Sequence, residues 1–130
     1  MDPDVALAQF TAEVRRPDPE IPLARAALLI AAAEQPELDV DSYLRRLNAL
    51  ADGAEPARRA TDALSRLHRL REFLFEELGC AGDRADYFDA RNSHLNEVLD
   101  RRLGIPITLS LVLIETGRRL GLEMEGIGLP

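Results

Sequence analysis

Cys80 is the one thiol in the chain, and a thiol is the first group to test for nucleophilic chemistry. A reactive cysteine needs a neighbouring base or a helix N-terminus to favour its thiolate. Cys80 instead follows the expected end of a long helix, where the helix dipole opposes negative charge. His68 falls beside Leu67 on an arginine-rich helical stretch, and His94 falls in the first turn of a later helix. Their separation permits a Cys80–His94 pair, yet no third group is placed to orient the imidazole. One cysteine allows no internal disulfide and supplies too few thiolates for a structural zinc site. Asp83, Asp86 and Asp89 lack the turn glycine of a calcium loop and read as a solvated acidic loop. There is no glycine-rich phosphate loop, and Gly126-Ile127-Gly128 is too short a signal to imply a nucleotide. No catalytic residue, metal ligand or cofactor is expected from the residues themselves.

One stretch carries more promise. Asn92 or Ser93 can cap a short helix, and Asn96 shares a face with them and could bond back to the preceding loop. A second helix opens at Pro106 with Thr108 in its first turn and Ser110 just beyond, where backbone N–H groups are free. Asn92, Ser93, Asn96, Thr108 and Ser110 are therefore the candidate ligand- or partner-binding residues, forming a cradle for a carboxylate or a backbone carbonyl. The plainer reading is that they only satisfy two helix ends. The residues alone leave both readings open.

The elements that must position this stretch are helices, because apolar residues recur at three- and four-residue steps almost throughout. A first helix is predicted from about Asp4 to Arg16 on a Leu7–Phe10–Val14 stripe, and a second from near Pro22 to Pro36. A third is capped by Asp39 or Asp41 and buries Val40, Tyr43, Leu44, Leu47 and Leu50, with Gly53 beyond its end. A long fourth is predicted from Pro56 to Leu78, its stripe running through Ala60, Leu64, Leu67, Leu70 and Leu74, with Gly79 terminating it in a left-handed conformation. After a loop from Cys80 to Arg91, a fifth runs from Ser93 to Leu103, closed by Gly104. The sixth, from Pro106 to about Arg119, is apolar all round from Ile105 to Ile114 and is expected to be buried centrally. The tail after Gly121 reads as the start of a strand without a partner, which implies a parent chain continuing past Pro130.

Composition narrows the function classes. The net charge is −7, which disfavours a nucleic-acid partner. All sixteen basic residues are arginines, interspersed with acids as on a mixed, solvated surface. Hydrophobic residues make up 46% and aromatics 5%, so the core must be built from Leu, Ala, Ile and Val. Met1-Asp2-Pro3-Asp4 does not resemble a signal peptide, and Ile105–Ile114 is about half of a membrane span. A cytoplasmic protein without membrane contact is expected.

From Tyr87 onward, Asn92-Ser93-His94-Leu95-Asn96-Glu97-Val98-Leu99, Arg101-Arg102-Leu103-Gly104-Ile105-Pro106-Ile107-Thr108-Leu109 and Glu125-Gly126-Ile127-Gly128-Leu129-Pro130 occur in order. This pattern resembles the bacterial SirB-type family of transglutaminase-like proteins, a relative of which forms part of a eukaryotic F-box protein. The resemblance implies a mainly α chain: a helical N-terminal bundle over 1–80, then over 81–130 the first helices of a truncated transglutaminase-like α+β core, with at most a rudimentary terminal strand. Active members of the wider superfamily place a cysteine at the start of a core helix, followed by a histidine and an aspartate on adjacent strands. By resemblance that cysteine would fall between Pro106 and Thr108, where none stands, and the strands would follow Pro130.

The resemblance thus implies a non-catalytic protein with a binding or regulatory role through protein contacts. Separately, the partnerless apolar tail over 124–129 is expected to be unpaired, disordered, or paired with another chain as in a homo-oligomer. One alternative is half of a hydrolase or acyltransferase site, completed by His and Asp beyond Pro130. The other is a helical scaffold or adaptor.

Overall fold

Seven α-helices make up most of residues 1–17 and 21–123, the residues that this computed structural model describes, and the fold is mainly α, as the apolar periodicity predicts. Helix α1 (Pro3–Val14) starts where the Asp2 carboxylate accepts the Asp4 backbone N–H at 2.8 Å. Its inward side differs from the predicted stripe: Ala6 and Phe10 face the core, whereas Leu7 and Val14 are exposed. The cause is polar docking. Gln9 and Glu13 share the side of Ala6 and both reach Arg25 on α2 (Leu23–Glu34), which fixes the helix about its axis. Pro22 precedes α2, and α2 buries Ala24, Leu28, Leu29, Ala31 and Ala32 against its neighbours. Helix α3 (Val40–Gly53) is capped by Asp39, which accepts from Ser42 N–H, and buries Val40, Leu47 and Ala51.

The long fourth helix is not continuous. It divides into α4 (Glu55–Arg59) and α5 (Ala63–Glu72). Asp62 breaks it: its carboxylate accepts both the Ser65 backbone N–H and the Ser65 hydroxyl at 2.8 Å, founding a new helix start inside the apolar stripe. Leu64 consequently stands 77% exposed, while Leu70 and Leu74 are fully buried. The end of α5 widens into a π-helical turn (Phe73–Glu77), with Leu78 N–H bonded to the Phe73 carbonyl at 2.9 Å. Gly79 ends it at φ 75°, the left-handed stop expected there.

The fifth predicted helix is also split. A 3₁₀ turn (Ala90–Ser93) precedes α6 (Leu95–Arg101), and His94 sits at the N-cap without a side-chain cap bond. Gly104 does not close α6. Arg102 does, at φ 58°, a conformation that costs a non-glycine residue energy. Gly104 instead belongs to a two-stranded parallel ladder of β1 (Ala81–Gly82) with β2 (Leu103–Gly104), in register Ala81 to Leu103 and Gly82 to Gly104. No partnered strand was predicted within these residues. Runs of two residues are too short to leave an alternating pattern.

Helix α7 (Pro106–Arg119) touches α2, α3, α5 and α6, the central position predicted for it. It is not buried all round: Val112, Ile114 and Thr116 face inward, but Ile107 is 73% exposed and Ser110 is exposed. Near its end Glu115 is buried and paired with Arg118 at 3.3 Å and Arg119 at 2.9 Å. The predicted tail strand and self-association segment, 124–129, lies outside the described residues. No helix among those residues is long and apolar enough to cross a membrane.

The split of α4 from α5 predicts opposite outcomes for one substitution at two leucines of the same predicted stripe. Leu74→Ala should lower unfolding free energy by about 2–5 kcal/mol through cavity formation. Leu64→Ala should change it by less than about 0.5 kcal/mol in the same urea titration.

Candidate functional site

The segment before α7 is held by one buried asparagine. Asn92 is 0% exposed, and its side-chain amide donates to the carbonyls of Asp86 at 3.0 Å and Tyr87 at 3.2 Å. Its Oδ1 accepts from Arg101 Nη1 at 3.2 Å, and its backbone carbonyl accepts the Thr108 hydroxyl at 2.8 Å. A buried amide must find such partners, and here the fold supplies all of them. Arg101 extends the fork to the buried carboxylate of Asp83 at 3.1 Å and lies 3.7 Å from Asp89.

Asp83 is anchored three ways. Its backbone N–H donates to Gly104 at 3.0 Å, its Oδ1 accepts the Asp86 N–H at 3.0 Å, and its Oδ2 meets Arg101. The Asp86 N–H above all, then Asn92 and Arg101, hold the Asp83 carboxyl below its ordinary range against the opposing effect of desolvation. Asp89 is held lower still, first by the Arg91 side chain and then by the Arg91 backbone N–H.

Thr108 occupies the first turn of α7 and is buried. Its hydroxyl donates to Asn92 O and accepts the Ile105 N–H at 3.1 Å, with the Ile105 carbonyl also 3.1 Å away. A hydroxyl has one proton, so the shorter bond to Asn92 takes it. Gly104 makes this approach feasible: a Cβ there would lie 2.8 Å from Thr108 Oγ1 and 3.1 Å from a Val98 methyl.

Of the candidate residues, the structure brings only Asn92 and Thr108 together. Ser93 and Ser110 are exposed. Asn96 turns away from the loop it was expected to bond, because its Nδ2 donates to Gln35 Oε1 on the far side at 3.0 Å, leaving Oδ1 buried without a protein partner. Gln35 Nε2 in turn lies 3.3 Å from His94 Nδ1, and His94 Nε2 lies 3.0 Å from Glu34. An amide nitrogen can only donate, so His94 Nδ1 accepts and its Nε2–H faces the carboxylate.

Cys80 is half-buried beside the middle of α7, in a cavity of about 260 Å³ whose walls include Leu78, Leu99 and Val112 and whose charged groups are Arg46 and Arg102. Burial pushes its thiol up, with the Arg102 charge pulling the other way. Neither histidine lines that cavity; His68 pairs with Glu72 at 2.9 Å. Among the described residues no group of three or more His, Cys, Asp or Glu side chains could hold a metal ion.

Asp83, Arg101 and Gly104 are not among the candidate site residues of the sequence, although each holds the site; there Asp83 reads as part of a solvated acidic loop and Gly104 as a helix end. Asp83-Arg84-Ala85-Asp86 carries the local signal of an aspartate bonding a backbone N–H three residues on. Arg101, one arginine among sixteen, carries none.

The transglutaminase-like superfamily model matches residues 41–130. The UPF0162 protein of Xylella fastidiosa is 38% identical over 117 residues, covering 87% of this chain and 41% of the relative. That of Vibrio cholerae is 35% identical over 109 residues, covering 83% and 40%. Human F-box only protein 21 is 40% identical over 57 residues, covering 44% of this chain and 9% of that protein. The chain therefore spans about two-fifths of the bacterial relatives' length. No solved structure gives a significant match.

The Asp83–Arg101–Asn92 knot predicts a defined acid response. A carboxyl held below its unfolded value of 3.8 stabilises the fold above that pH, and the contribution is lost as pH falls through the folded value. Stability followed by circular dichroism should therefore be flat down to about pH 4 and fall below it. Asp83→Asn should be less stable at pH 7 and lose less on acidification. Parallel curves for the two proteins would contradict the assignment.

Proposed function

The chain belongs to the transglutaminase-like superfamily, and on that premise we propose that it is a non-catalytic member of SirB type, acting by binding or regulation through protein contacts in the cytoplasm. The observation that carries this reading is the commitment of Thr108. Acyl transfer in this superfamily calls for a thiolate at the start of a core helix, by the resemblance noted above. Here that first turn presents a buried hydroxyl whose proton is given to Asn92 O at 2.8 Å and whose lone pair receives the Ile105 N–H at 3.1 Å. A nucleophile needs a base to take its proton, and here the proton goes to a backbone carbonyl while the Ile105 N–H draws on one of the oxygen's two lone pairs. Cys80 fits no better, since burial favours its neutral form and its cavity is lined by no histidine.

Protein contact is supported by the surface around the same knot. Phe88 is 91% exposed and meets Tyr87 edge-to-face, with ring centroids 5.2 Å apart. Asn92 fixes the Tyr87 carbonyl, and Ile107, adjoining Thr108, is exposed as well. Large apolar side chains held out on an ordered backbone suit association, because little ordering entropy remains to be lost.

Two measurements test the two halves. Wild type and Cys80→Ala should give equal rates, at the level of heat-denatured protein, for p-nitrophenyl acetate hydrolysis and for incorporation of a fluorescent amine into a glutamine-bearing protein. Turnover that disappears with Cys80→Ala or Thr108→Val would overturn the non-catalytic reading. A photo-crosslinking residue at position 88 should capture one discrete partner in cells, lost with Ile107→Ser; no capture from position 88 or 107 would overturn the binding role.

A further inference from the structure

The cavity beside Cys80 has two features that the reading above does not use. Its inner walls are apolar, with Leu50, Leu78, Val98 and Val112 around a neutral thiol, and its volume of about 260 Å³ opens to solvent past the exposed Arg46, Ala49 and Arg102. By comparison with an apolar cavity of about 150 Å³ that takes one benzene, it would hold roughly ten non-hydrogen atoms. Two guanidinium groups border it, but they differ. Arg46 is neutralised by Asp100 and also donates to the Leu99 carbonyl at 3.1 Å. Arg102 donates to the Leu78 carbonyl at 3.1 Å and has no carboxylate paired with it among the described residues. Its charge still reaches into the cavity, where it is felt at Cys80.

The second feature is the backbone that delivers Arg102. It closes α6 at φ 58°, the single non-glycine residue with positive φ among those described. Glycine would take that conformation without strain. An arginine held there against its backbone preference is accounted for if its side chain is needed at the cavity.

We propose that this cavity is a binding site for a small monocarboxylate with an unbranched apolar chain, the chain lying among Leu50, Val98 and Val112 and the carboxylate meeting Arg102. Apolar burial supplies the affinity, and the one uncompensated cation supplies the selection for an acid over a neutral molecule of the same shape. The thiol forms part of the wall and undergoes no reaction, so the site is independent of acyl chemistry.

Octanoate, which has ten non-hydrogen atoms, and octanol as its uncharged counterpart are titrated into the protein by calorimetry. Octanoate should bind with one-to-one stoichiometry, and octanol about tenfold more weakly, as loss of one hydrogen bond to a charged group implies. Arg102→Gly relieves the backbone, so its Tm without ligand should equal or exceed that of wild type while its preference for octanoate disappears; Arg102→Gln should lose the preference too. Ala49→Phe, at an exposed wall position, should abolish binding of both compounds. Equal binding of octanoate and octanol to wild type, retention of the preference in Arg102→Gly, or no binding of octanoate would each overturn the proposal.

Discussion

The described fold depends on a largely covered guanidinium having somewhere to go. Arg101 leaves α6 and finds Asp83 at 3.1 Å and the Asn92 side chain at 3.2 Å, and through them it ties the acidic loop, the 3₁₀ turn and the start of α7 into one unit. A charge removed from water must be paired and its remaining donors filled, or it destabilises more than it stabilises. Arg101, Asp83 and Asn92 each bond another member, which couples the knot: taking out one partner leaves the others short of a bond.

The same knot accounts for the tension between fold and chemistry at α7. The helix opens with free N–H groups and a proline, as an anion site or a nucleophile position would. Yet the side chain that could act there is spent on Asn92 and Ile105, and Gly104 is kept bare so that it can be. Conversely, the exposed Phe88 and Ile107 leave apolar surface beside a backbone too tightly held to collapse over it. Rigidity within and apolar exposure without are both consequences of how Asn92 divides its bonds.

Much of the helical layout was legible in the sequence, because three- and four-residue apolar spacing reports burial directly. Asp39, Pro22 and Gly79 marked real boundaries through capping and backbone chemistry. The failures share a physical form: a polar group overrode an apolar pattern. Asp62 captured Ser65 and cut a helix whose leucine stripe ran straight through, and Arg25 turned α1 so that Leu7 and Val14 face out. Arg102 took a left-handed conformation that sequence rules reserve for glycine. At the site, Asn92 and Thr108 were visible as helix-end residues, but their meeting depends on a contact sixteen positions apart, which no local pattern encodes. Asn96 went the other way for the same reason, drawn to Gln35 across sixty-one positions.

The parallel ladder adds a constraint on where a thiol can be. Ala81 pairs with Leu103 and Gly82 with Gly104, and Asp83 N–H closes on the Gly104 carbonyl, so the path of the chain after Cys80 is fixed against β2. That register sets Cys80 against Val112, one helical turn beyond Thr108 and about 6 Å along the axis of α7. Bringing Cys80 to the helix start would require the ladder to slip, which breaks the Asp83 contacts to Gly104 and Arg101 together. Putting sulfur at position 108 instead would replace a strong hydrogen-bond donor and acceptor by a weak one, in a space already closed by Gly104 and Val98. In this chain the oxygen at position 108 is bonded into the knot, to Asn92 and Ile105.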